Sequence, residues 1–498
     1  MTVRLPSPLR KYAGGAEFVD GPAGTVVDVL REVTTAHADL RIRIFDSSEA
    51  IHPHLAVFHN EELVAREQYD DTKVAAGDRL DILISIVGGA EDVRMRGFRD
   101  RVTVARALEA ALEDVARLAT EPVSIDECWG RVLGVDVTSG VDVPAFRRAT
   151  MDGFAVRAES TFGSSAYDPT RLVVIGESLP GSVPERPVGE GEAMRIMTGA
   201  PVPDGADAVL RAEDAAERDE WVEVHAAVAP EKNIGRIGED VTTGDRVLRA
   251  GRRLLPQDVG LLSSIGHSPV SVVRRPVVRV VVSGDELLDP GDSPRGTSIV
   301  DSNSPMLAAL VVRDGGICRV VRVPDDPVEM RAALSEPGAD VIVTAGAASV
   351  GTEDRVPGIV DELGTLVVHG VAMRPSSPTG VGRIGAAPVL LLPGNPVSCL
   401  VAYDFFAGPV VRRLAGLPEA WPYRSIRLPL DAKLVSQIGR TDYARVVVED
   451  GSVRSLAISG ASVLSSVTRA DGFVIIPAGL EGYPAGAEVE VHLYSGQS

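Results

Sequence analysis

The run from Leu390 to Ser398, Leu-Leu-Leu-Pro-Gly-Asn-Pro-Val-Ser, combines the signals of a strand, a turn and a helix start. Its apolar residues predict a buried strand, its Pro-Gly-Asn-Pro predicts a tight turn, and apolar residues recur at helical spacing from Cys399 to Leu414. Such a turn directs backbone N–H groups and the helix dipole at one point. An ordinary strand-to-helix turn is the alternative for the motif taken alone. We therefore expect an oxyanion or phosphate site formed by Pro393, Gly394, Asn395, Pro396 and Ser398.

Two more motifs follow predicted strands in the same region. Ser283-Gly-Asp-Glu-Leu287 ends one strand, and the run from Thr344 through Gly346 to Asp354 ends another. Open parallel sheets bind ligands at the carboxyl ends of their strands, so one crevice could hold all three motifs. The carboxylates suit Mg²⁺, which prefers oxygen ligands and usually bridges to substrate phosphates. For any single carboxylate, a helix cap or a solvated turn is the alternative; the set favours a function.

The first half of the chain carries comparable motifs. Asp152 lies in Met-Asp-Gly-Phe-Ala, Thr198 begins Thr-Gly-Ala-Pro-Val-Pro-Asp-Gly-Ala-Asp, and Asp240 lies in Gly-Glu-Asp-Val. Each of the three is predicted to stand at a turn or at a strand end.

Composition narrows the class of protein. The 498 residues require several domains, and 45% hydrophobic with 24% charged residues is ordinary for a soluble protein. A net charge of −20 argues against nucleic acid or an anionic membrane as the main partner, so an anionic ligand must be bound by local donors. Three cysteines without CxxC spacing indicate a reducing compartment, and we see neither a signal peptide nor a membrane helix. We therefore expect a cytoplasmic protein.

Residues 1–89 are predicted to form a β-grasp domain. Strands are predicted over 3–5, 17–20, 55–59 and 80–87, and a helix over 25–37. The segment ends in Gly88-Gly89, which resembles the tail of the ubiquitin-like sulfur-carrier family. Such a tail can enter a narrow adenylating site where any Cβ would clash, but Ala90 follows and no terminal carboxylate is present. A simple linker is the alternative.

The predicted secondary structure changes several times along the rest of the chain. A charged helical stretch is predicted over 91–119 and β-rich structure over 150–240. From Pro276, strands and helices alternate, which predicts a parallel sheet flanked by helices. Short strands return after Gly416. The expected fold is therefore multidomain, with a Rossmann-like α/β domain and several β domains.

Read in order, these motifs resemble molybdopterin molybdenumtransferases, the MoeA and gephyrin E-domain family, from about residue 95 to the C-terminus. Asp301-Ser-Asn303 belongs to the same pattern. The resemblance implies a four-domain body: 90–147 with 242–273 as a linker and dimerisation domain, 148–241 as an inserted β domain, 274–418 as the molybdopterin-binding domain and 419–498 as a β domain. It also implies a homodimer with its site between subunits, in which molybdate enters adenylylated molybdopterin with Mg²⁺ and AMP is released.

The resemblance also implies roles for individual residues. The implied catalytic residues are Asp152, Asp240, Glu286 and Asp340, with Glu286 and Asp240 as metal ligands. The implied substrate-binding residues are Thr198, Ser283, Asp285, Thr344, Gly346, Ser349, Asp354 and Arg374, together with the Pro393–Ser398 turn. Gly88 and Gly89 would form the terminus of the sulfur carrier.

Three single positions and one short motif depart from the family pattern. The family usually has serine at Ala149, arginine at Gly235 and glycine at Ala347, and its Lys-Pro-Gly-Lys-Pro reads Arg374-Pro-Ser-Ser377-Pro here. Two hypotheses follow. The chain is either an active transferase fused to a sulfur carrier or a diverged dimeric scaffold from which the carrier is released. The expected partners are an adenylating sulfurtransferase and a protease that acts at the Gly-Gly junction.

Overall fold

The structure is a computed structural model that describes residues 1–35, 37–45, 50–52, 55–60, 62–84, 101–346 and 356–494. It divides into two compact units, one built from Met1–Leu118 with Arg275–Ser498 and the other from Ala119–Arg274. Over the described ranges, the helices are too short or too polar to cross a membrane.

The N-terminal part of the first unit is a β-grasp fold. Its elements are β1 Thr2–Arg4, α1 Ser7–Arg10, β2 Phe18–Asp20, β3 Gly24–Thr25, α2 Val26–Thr35, α3 Ala38–Ile44, β4 Leu55–His59, β5 Glu62–Leu63, β6 Lys73–Val74 and β7 Arg79–Ile84. The sheet order is β2-β1-β7-β4-β5, and only β1 and β7 pair in parallel. Val26, Leu30 and Val33 share the buried face of α2 because they are three or four residues apart.

The β-grasp prediction agrees with these elements, which include all four predicted strands and the predicted helix in shortened form. The helix predicted over 91–119 is present over a shorter range as α4 Val104–Leu112. Thr103 caps it by accepting a hydrogen bond from the Arg106 amide at 3.2 Å.

The second unit is β-rich, as predicted for its central part. Its elements are β8 Thr120–Val123, β9 Val137–Thr138, β10 Arg148–Ala149, β11 Gly153–Val156, β12 Thr170–Ser178, β13 Glu192–Ile196, β14 Ala208–Arg211, β15 Ala215–Arg218, β16 Trp221–Val224, β17 Ile234–Gly235, β18 Arg246–Leu248, α5 Pro256–Ser264 and β19 Val270–Val273. The main sheet has the order β14-β11-β13-β12-β16-β15, and β10 pairs with β17 beside it.

An α/β layer follows in the first unit. Its elements are β20 Val277–Ser283, β21 Leu287–Leu288, β22 Ile299–Val300, α6 Asn303–Arg313, β23 Ile317–Val323, α7 Pro327–Ser335, β24 Val341–Ala345, α8 Val356–Leu363, β25 Thr365–His369, β26 Met373–Arg374, β27 Gly380–Ile384, β28 Ala387–Leu392, α9 Pro396–Ala402 and α10 Gly408–Leu414. A π-helical turn, Tyr403–Ala407, joins the last two helices.

The sheet of this layer is mixed, which corrects the prediction of a parallel sheet. Its order is β23-β20-β24-β28-β27-β25, and only the first four strands are parallel. A two-residue turn at Gly385, where φ is +59°, makes β27 and β28 an antiparallel hairpin. The carboxyl ends of β20, β24 and β28 still meet at one edge, which is what positions the site.

The C-terminal part of the first unit is a second sheet. Its elements are β29 Arg424–Pro429, β30 Leu434–Val435, β31 Thr441–Glu449, β32 Ser452–Ala457, α11 Ser465–Thr468, β33 Gly472–Ile476, β34 Gly482–Tyr483 and β35 Glu488–Leu493. Strand β26 joins this sheet by pairing in parallel with β31. Trp421 packs edge-on against Phe405 at 4.9 Å and against Phe473 at 5.4 Å, so one apolar core spans both layers.

Candidate functional site

Three of the predicted motifs meet at the carboxyl edge of the parallel strands. The Gly346 amide donates to the Leu392 carbonyl at 3.3 Å. A Cβ on Gly346 would lie 3.0 Å from the Ser283 carbonyl oxygen, and one on Gly394 would lie 3.4 Å from the Gly346 Cα. Gly346 has φ +100°, a conformation that side chains disfavour. Glycine therefore allows the ends of β20, β24 and β28 to touch.

Three buried polar atoms at this edge lack a hydrogen-bond partner within the described ranges: Ser283 Oγ, Asn303 Oδ1 and Thr344 Oγ1. Asn303 Nδ2 is engaged, since it donates to the Gly394 carbonyl at 2.7 Å. Buried polar groups are normally paired, so this edge is suited to a polar ligand that fits against Gly346 and Gly394. Asn303 was missing from the predicted site, although the Asp301-Ser-Asn303 motif could have indicated it.

The turn after β28 is held by the loop between β32 and α11. Ser462 Oγ donates to Asn395 Oδ1 at 2.7 Å, and the Val397 amide donates to the Ala461 carbonyl at 3.0 Å. Pro396 has no amide hydrogen, and the amide hydrogen of Val397 is already donated to Ala461. The predicted oxyanion cradle therefore has fewer free backbone donors than expected, and the side chains near it carry more of the recognition.

The acidic residues after β20 are exposed. Asp285 and Asp325 exchange hydrogen bonds, each amide donating to the other's carboxylate at 3.3 Å and 3.2 Å. The side chain of Glu286 is exposed at the same edge. Asp301 differs because it is buried, accepts hydrogen bonds from the Asn303 and Ser304 amides at 3.0 Å, and pairs with Arg322 at 2.9 Å. Among the described residues, Asp285, Glu286 and Asp325 thus present exposed carboxylates at this edge.

Asp340 is placed differently from the prediction. It precedes β24, where its carboxylate accepts the Val277 amide at 2.7 Å and its own amide donates to the Val277 carbonyl at 2.8 Å. Val277 begins β20. Asp340 therefore joins the amino ends of two parallel strands, at the edge opposite the crevice, and this position contradicts its implied role as a catalytic residue.

Four predicted site residues, Ser349, Asp354, Gly88 and Gly89, lie outside the described residues, as does the departing Ala347.

Arg374 belongs to a charged group next to the Pro393–Ser398 turn. It pairs with the fully buried Asp442, which also accepts hydrogen bonds from Arg440 Nε at 3.0 Å and from Ser436 Oγ at 2.8 Å. Ser376 is attached to α9, since its Oγ donates to the Ser398 carbonyl at 2.6 Å. Sequence reasoning missed Arg440 and Asp442 because no motif points from one sheet to the other.

Ser376 stands where the family motif Lys-Pro-Gly-Lys-Pro has glycine, and its surroundings explain how a serine is accommodated. Its φ is +80°, a left-handed conformation that glycine adopts freely and that costs other residues about 1–3 kcal/mol. The hydrogen bond to Ser398 and a bond from Thr379 Oγ1 to the Ser376 carbonyl at 2.7 Å hold it in place. The glycine-type turn is therefore preserved without the glycine.

In the second unit, Asp152 and Thr198 come together. Both the amide and Oγ1 of Thr198 donate to Asp152 Oδ1, at 2.7 Å and 2.8 Å. These bonds, that of the amide first, lower the pKa of the Asp152 carboxyl below its ordinary value. The antiparallel pairing of β11 with β13 brings the two motifs to one end of the sheet.

Thr198→Val should raise the pKa of Asp152 toward its ordinary value of 3.8 because one of two donors is lost. A lowered pKa stabilises the fold above the unfolded-state value, and this contribution is lost as the pH falls through the folded-state pKa. Carboxyl ¹³C titration of aspartate-labelled protein, assigned with Asp152→Asn, measures the change. Thr243→Val removes an exposed threonine elsewhere in this unit and should leave the titration unaltered. An unchanged Asp152 pKa in Thr198→Val would contradict the interpretation.

Asp240 is exposed in a turn near the same end. Ala149, in β10, donates its amide to the Ala200 carbonyl and accepts the Gly199 amide, while Arg148 pairs with Glu239 at 2.7 Å. A Cβ on Gly235 would lie 2.9 Å from the Glu239 carboxylate, so this ion pair occupies the space beside the glycine. The turn carrying Asp240 is thereby held near the strand end that precedes Asp152.

Neither metal ligands nor reactive thiols are preassembled in the described part of the chain. It contains no group of three His, Cys, Asp or Glu side chains arranged to hold a metal ion. The three cysteines are free thiols, and burial raises the pKa of Cys318 to about 11 and that of Cys399 further. Thiolate chemistry is therefore disfavoured at these positions.

Comparison with protein families matches nearly the whole chain. Residues 3–89 match "ThiS family", 102–266 match "MoeA N-terminal region (domain I and II)", 279–413 match "Probable molybdopterin binding domain" and 427–494 match "MoeA C-terminal region (domain IV)".

Individual proteins agree with these matches. Molybdopterin molybdenumtransferase 2 of Mycobacterium tuberculosis is 36% identical over 385 residues, which are 74% of this chain and 94% of that protein. Molybdopterin molybdenumtransferase of Staphylococcus aureus is 29% identical over 409 residues, 79% of this chain and 96% of that one. A crystal structure of a molybdopterin biosynthesis MoeA protein from Pyrococcus horikoshii superposes with a TM-score of 0.68 at 34% identity, covering 80% of this chain and all of that one.

Proposed function

Because this chain belongs to the MoeA family of molybdopterin molybdenumtransferases and carries a ThiS-family domain ahead of that body, we propose that it inserts molybdate into adenylylated molybdopterin and releases AMP. It is a transferase of molybdenum cofactor biosynthesis. The observation that supports the specific reaction is the carboxyl edge of β20, β24 and β28, where buried polar atoms without a partner among the described residues lie beside glycines that leave space for a ligand.

The residues of this edge suit an anionic, polar substrate. Ser283, Asn303 and Thr344 would bind its polar atoms, and Gly346 and Gly394 leave space for it against the backbone. Asp285 and Glu286 present exposed carboxylates, the oxygen donors that Mg²⁺ selects, and substrate phosphate and water would fill the remaining coordination positions. Bound Mg²⁺ would neutralise charge at the phosphate.

We propose a homodimer in which Asp152, Thr198 and Asp240 of one subunit complete the crevice of its partner. Asp240 and Glu286 would then share the metal, and the bonds from Thr198 would keep Asp152 ionised. The protein would act in the cytoplasm.

The reaction is tested with purified full-length protein, adenylylated molybdopterin, Mg²⁺ and molybdate. We expect AMP and active cofactor, with neither formed when molybdate is withheld or when EDTA removes Mg²⁺. Absence of AMP under the complete conditions would contradict the transferase reaction and favour the diverged scaffold.

We also propose that the β-grasp domain is a sulfur carrier. The ThiS match ends at residue 89, at the second glycine of Gly88-Gly89. Adenylation activates a carboxyl group, and the peptide bond to Ala90 offers none. The carrier function therefore requires a protease to cut this bond, followed by an adenylating sulfurtransferase as partner.

Intact-mass spectrometry of protein from the native host should find a fragment that ends at Gly89 and a second chain that begins at Ala90. A thiocarboxylate on the first fragment would add the mass of sulfur in place of oxygen. Recovery of only the full-length chain from cells that are making the cofactor would contradict processing. A Gly89→Val variant, which obstructs the cut, should accumulate at full length.

A further inference from the structure

The β-grasp domain contacts the loop between β33 and β34 of the C-terminal sheet. Arg4, the last residue of β1, donates from Nη1 to the Gly479 carbonyl at 3.0 Å. Arg10, the last residue of α1, donates from Nη2 to Glu481 Oε1 at 3.4 Å. Both domains belong to the same compact unit. They therefore meet through cationic side chains of the first domain and oxygen acceptors of the second.

Both arginines also pair with a carboxylate of their own domain. Glu17 Oε1 lies 3.0 Å from Arg4 Nη2 and 3.1 Å from Arg10 Nη2. Glu17 by itself balances one of these two positive charges, and Glu481 supplies the second carboxylate. The side chains of Arg4 and Arg10 are only 12% and 21% exposed, although surface arginines are mostly solvated. The contact thus completes a network of four charges, which stabilises more than an isolated surface pair does.

The loop that carries the acceptors is fixed to the C-terminal sheet. The Ser436 amide donates to the Glu481 carbonyl at 2.9 Å, and the Gly439 amide donates to the Ala478 carbonyl at 2.8 Å. Strand β34, which follows this loop, pairs with β30. Because these bonds lie within the C-terminal domain, they hold Gly479 and Glu481 in place independently of the β-grasp domain. Acceptors that are already ordered lower the entropic cost of docking.

The end of the β-grasp domain that makes these contacts is also the end from which its chain continues. Strands β1 and β7 are parallel, with Arg4 opposite Asp81, so both strands run toward this end. Strand β7 ends at Ile84, and residues 85–100 then connect the domain to the rest of the chain. A covalent connection that leaves from the contacting end raises the effective concentration of the domain at the loop. It therefore favours contact within one chain over contact with a second copy.

We propose that Gly479 and Glu481 form a docking site for the β-grasp domain of the same chain, and that Arg4 and Arg10 are the residues that recognise it. The contacts are polar and partly exposed, so docking is reversible and weakens as salt screens the charges. The site keeps the β-grasp domain on the C-terminal sheet while the chain is intact. This inference goes beyond the proposed function and requires neither of the two proposed activities.

Glu481→Arg in the full-length protein should accelerate amide hydrogen exchange in β1 and β2 about tenfold. Docking stabilises the β-grasp domain against opening, and the substitution turns an attraction for Arg10 into a repulsion. Exchange in β31 and β33 should stay at the wild-type rate, which checks that the C-terminal sheet remains folded. Glu488→Arg, at an exposed position of β35 in the same sheet, is the matched control and should leave β1 and β2 unaltered.

Exchanging the two charges provides a second test. Arg10→Glu should also accelerate exchange in β1 and β2, in part because Glu17 loses a partner. Adding Glu481→Arg to Arg10→Glu should restore most of the wild-type protection, since opposite charges meet again across the two domains. A change in the C-terminal sheet can rescue the β-grasp domain only through this contact. Lys73→Glu, which reverses an exposed cation on β6, is the control within the β-grasp domain.

Carbodiimide coupling identifies the chain on which the domain docks. Arg10→Lys keeps the charge and supplies an amine, so a digest of the coupled full-length protein should contain position 10 linked to Glu481. In protein reassembled from ¹⁵N-labelled and unlabelled chains, both halves of the linked peptide should carry the same label. Absence of the link, mixed labels, or unchanged exchange in Glu481→Arg would each overturn the proposal. Because neither measurement uses AMP release, failure of the proposed reaction and failure of docking are distinguished.

Discussion

Glu286→Gln should reduce AMP release by roughly two orders of magnitude or more while leaving the fold intact, and Asp240→Asn should do the same. Both side chains are exposed and neither carboxylate makes a hydrogen bond or ion pair in the described parts of the chain, so removing their charge should change stability by no more than about 0.5 kcal/mol. The rate of AMP release would fall because the phosphate chemistry depends on Mg²⁺, and a neutral amide does not replace the carboxylate that holds this ion.

A matched exposed residue makes this result specific. Asp219→Asn, in the turn between β15 and β16, removes an exposed carboxylate away from the predicted site and should retain full turnover. Initial rates of AMP release at saturating Mg²⁺ and thermal unfolding of each variant are the required measurements. Near-normal rates in both Glu286→Gln and Asp240→Asn would reject their assignment as catalytic metal ligands.

Asp442→Asn should destabilise the C-terminal sheet by about 3 kcal/mol, because it removes the only carboxylate that faces Arg374 and Arg440 in the described structure. Asp442 is fully buried, and those arginines are about 32% and 24% exposed, so they can turn only partly toward water.

Amide hydrogen exchange along β31 measures this local loss. A change of about 3 kcal/mol accelerates exchange limited by opening of the sheet by about two orders of magnitude. Asp450→Asn is the control, because Asp450 is an exposed turn residue with φ +49° and asparagine tolerates that conformation. Exchange in Asp442→Asn that matches the control would show that the buried ion pairs do not stabilise the sheet.

Local patterns accounted for much of the fold. The apolar spacing of α2 and the β-branched runs of β20 and β24 are properties of short segments, and the segments form the predicted elements. The carboxyl-edge rule also placed Ser283, Thr344 and Gly346 together, since parallel strands end at one edge. The same rule, applied to the start of the strand, would have excluded Asp340 from the crevice.

The amino-acid sequence by itself thus determined the β-grasp elements, the α/β alternation and the family, because these depend on periodicity and on ordered motifs. Only the tertiary structure decided that β27 and β28 form an antiparallel hairpin, that Thr198 bonds Asp152 across 46 positions, and that Ala461 takes the amide of Val397. It alone placed Arg374 and Arg440 around Asp442. Pairing between segments tens or hundreds of residues apart depends on how whole sheets pack, and no local pattern records it.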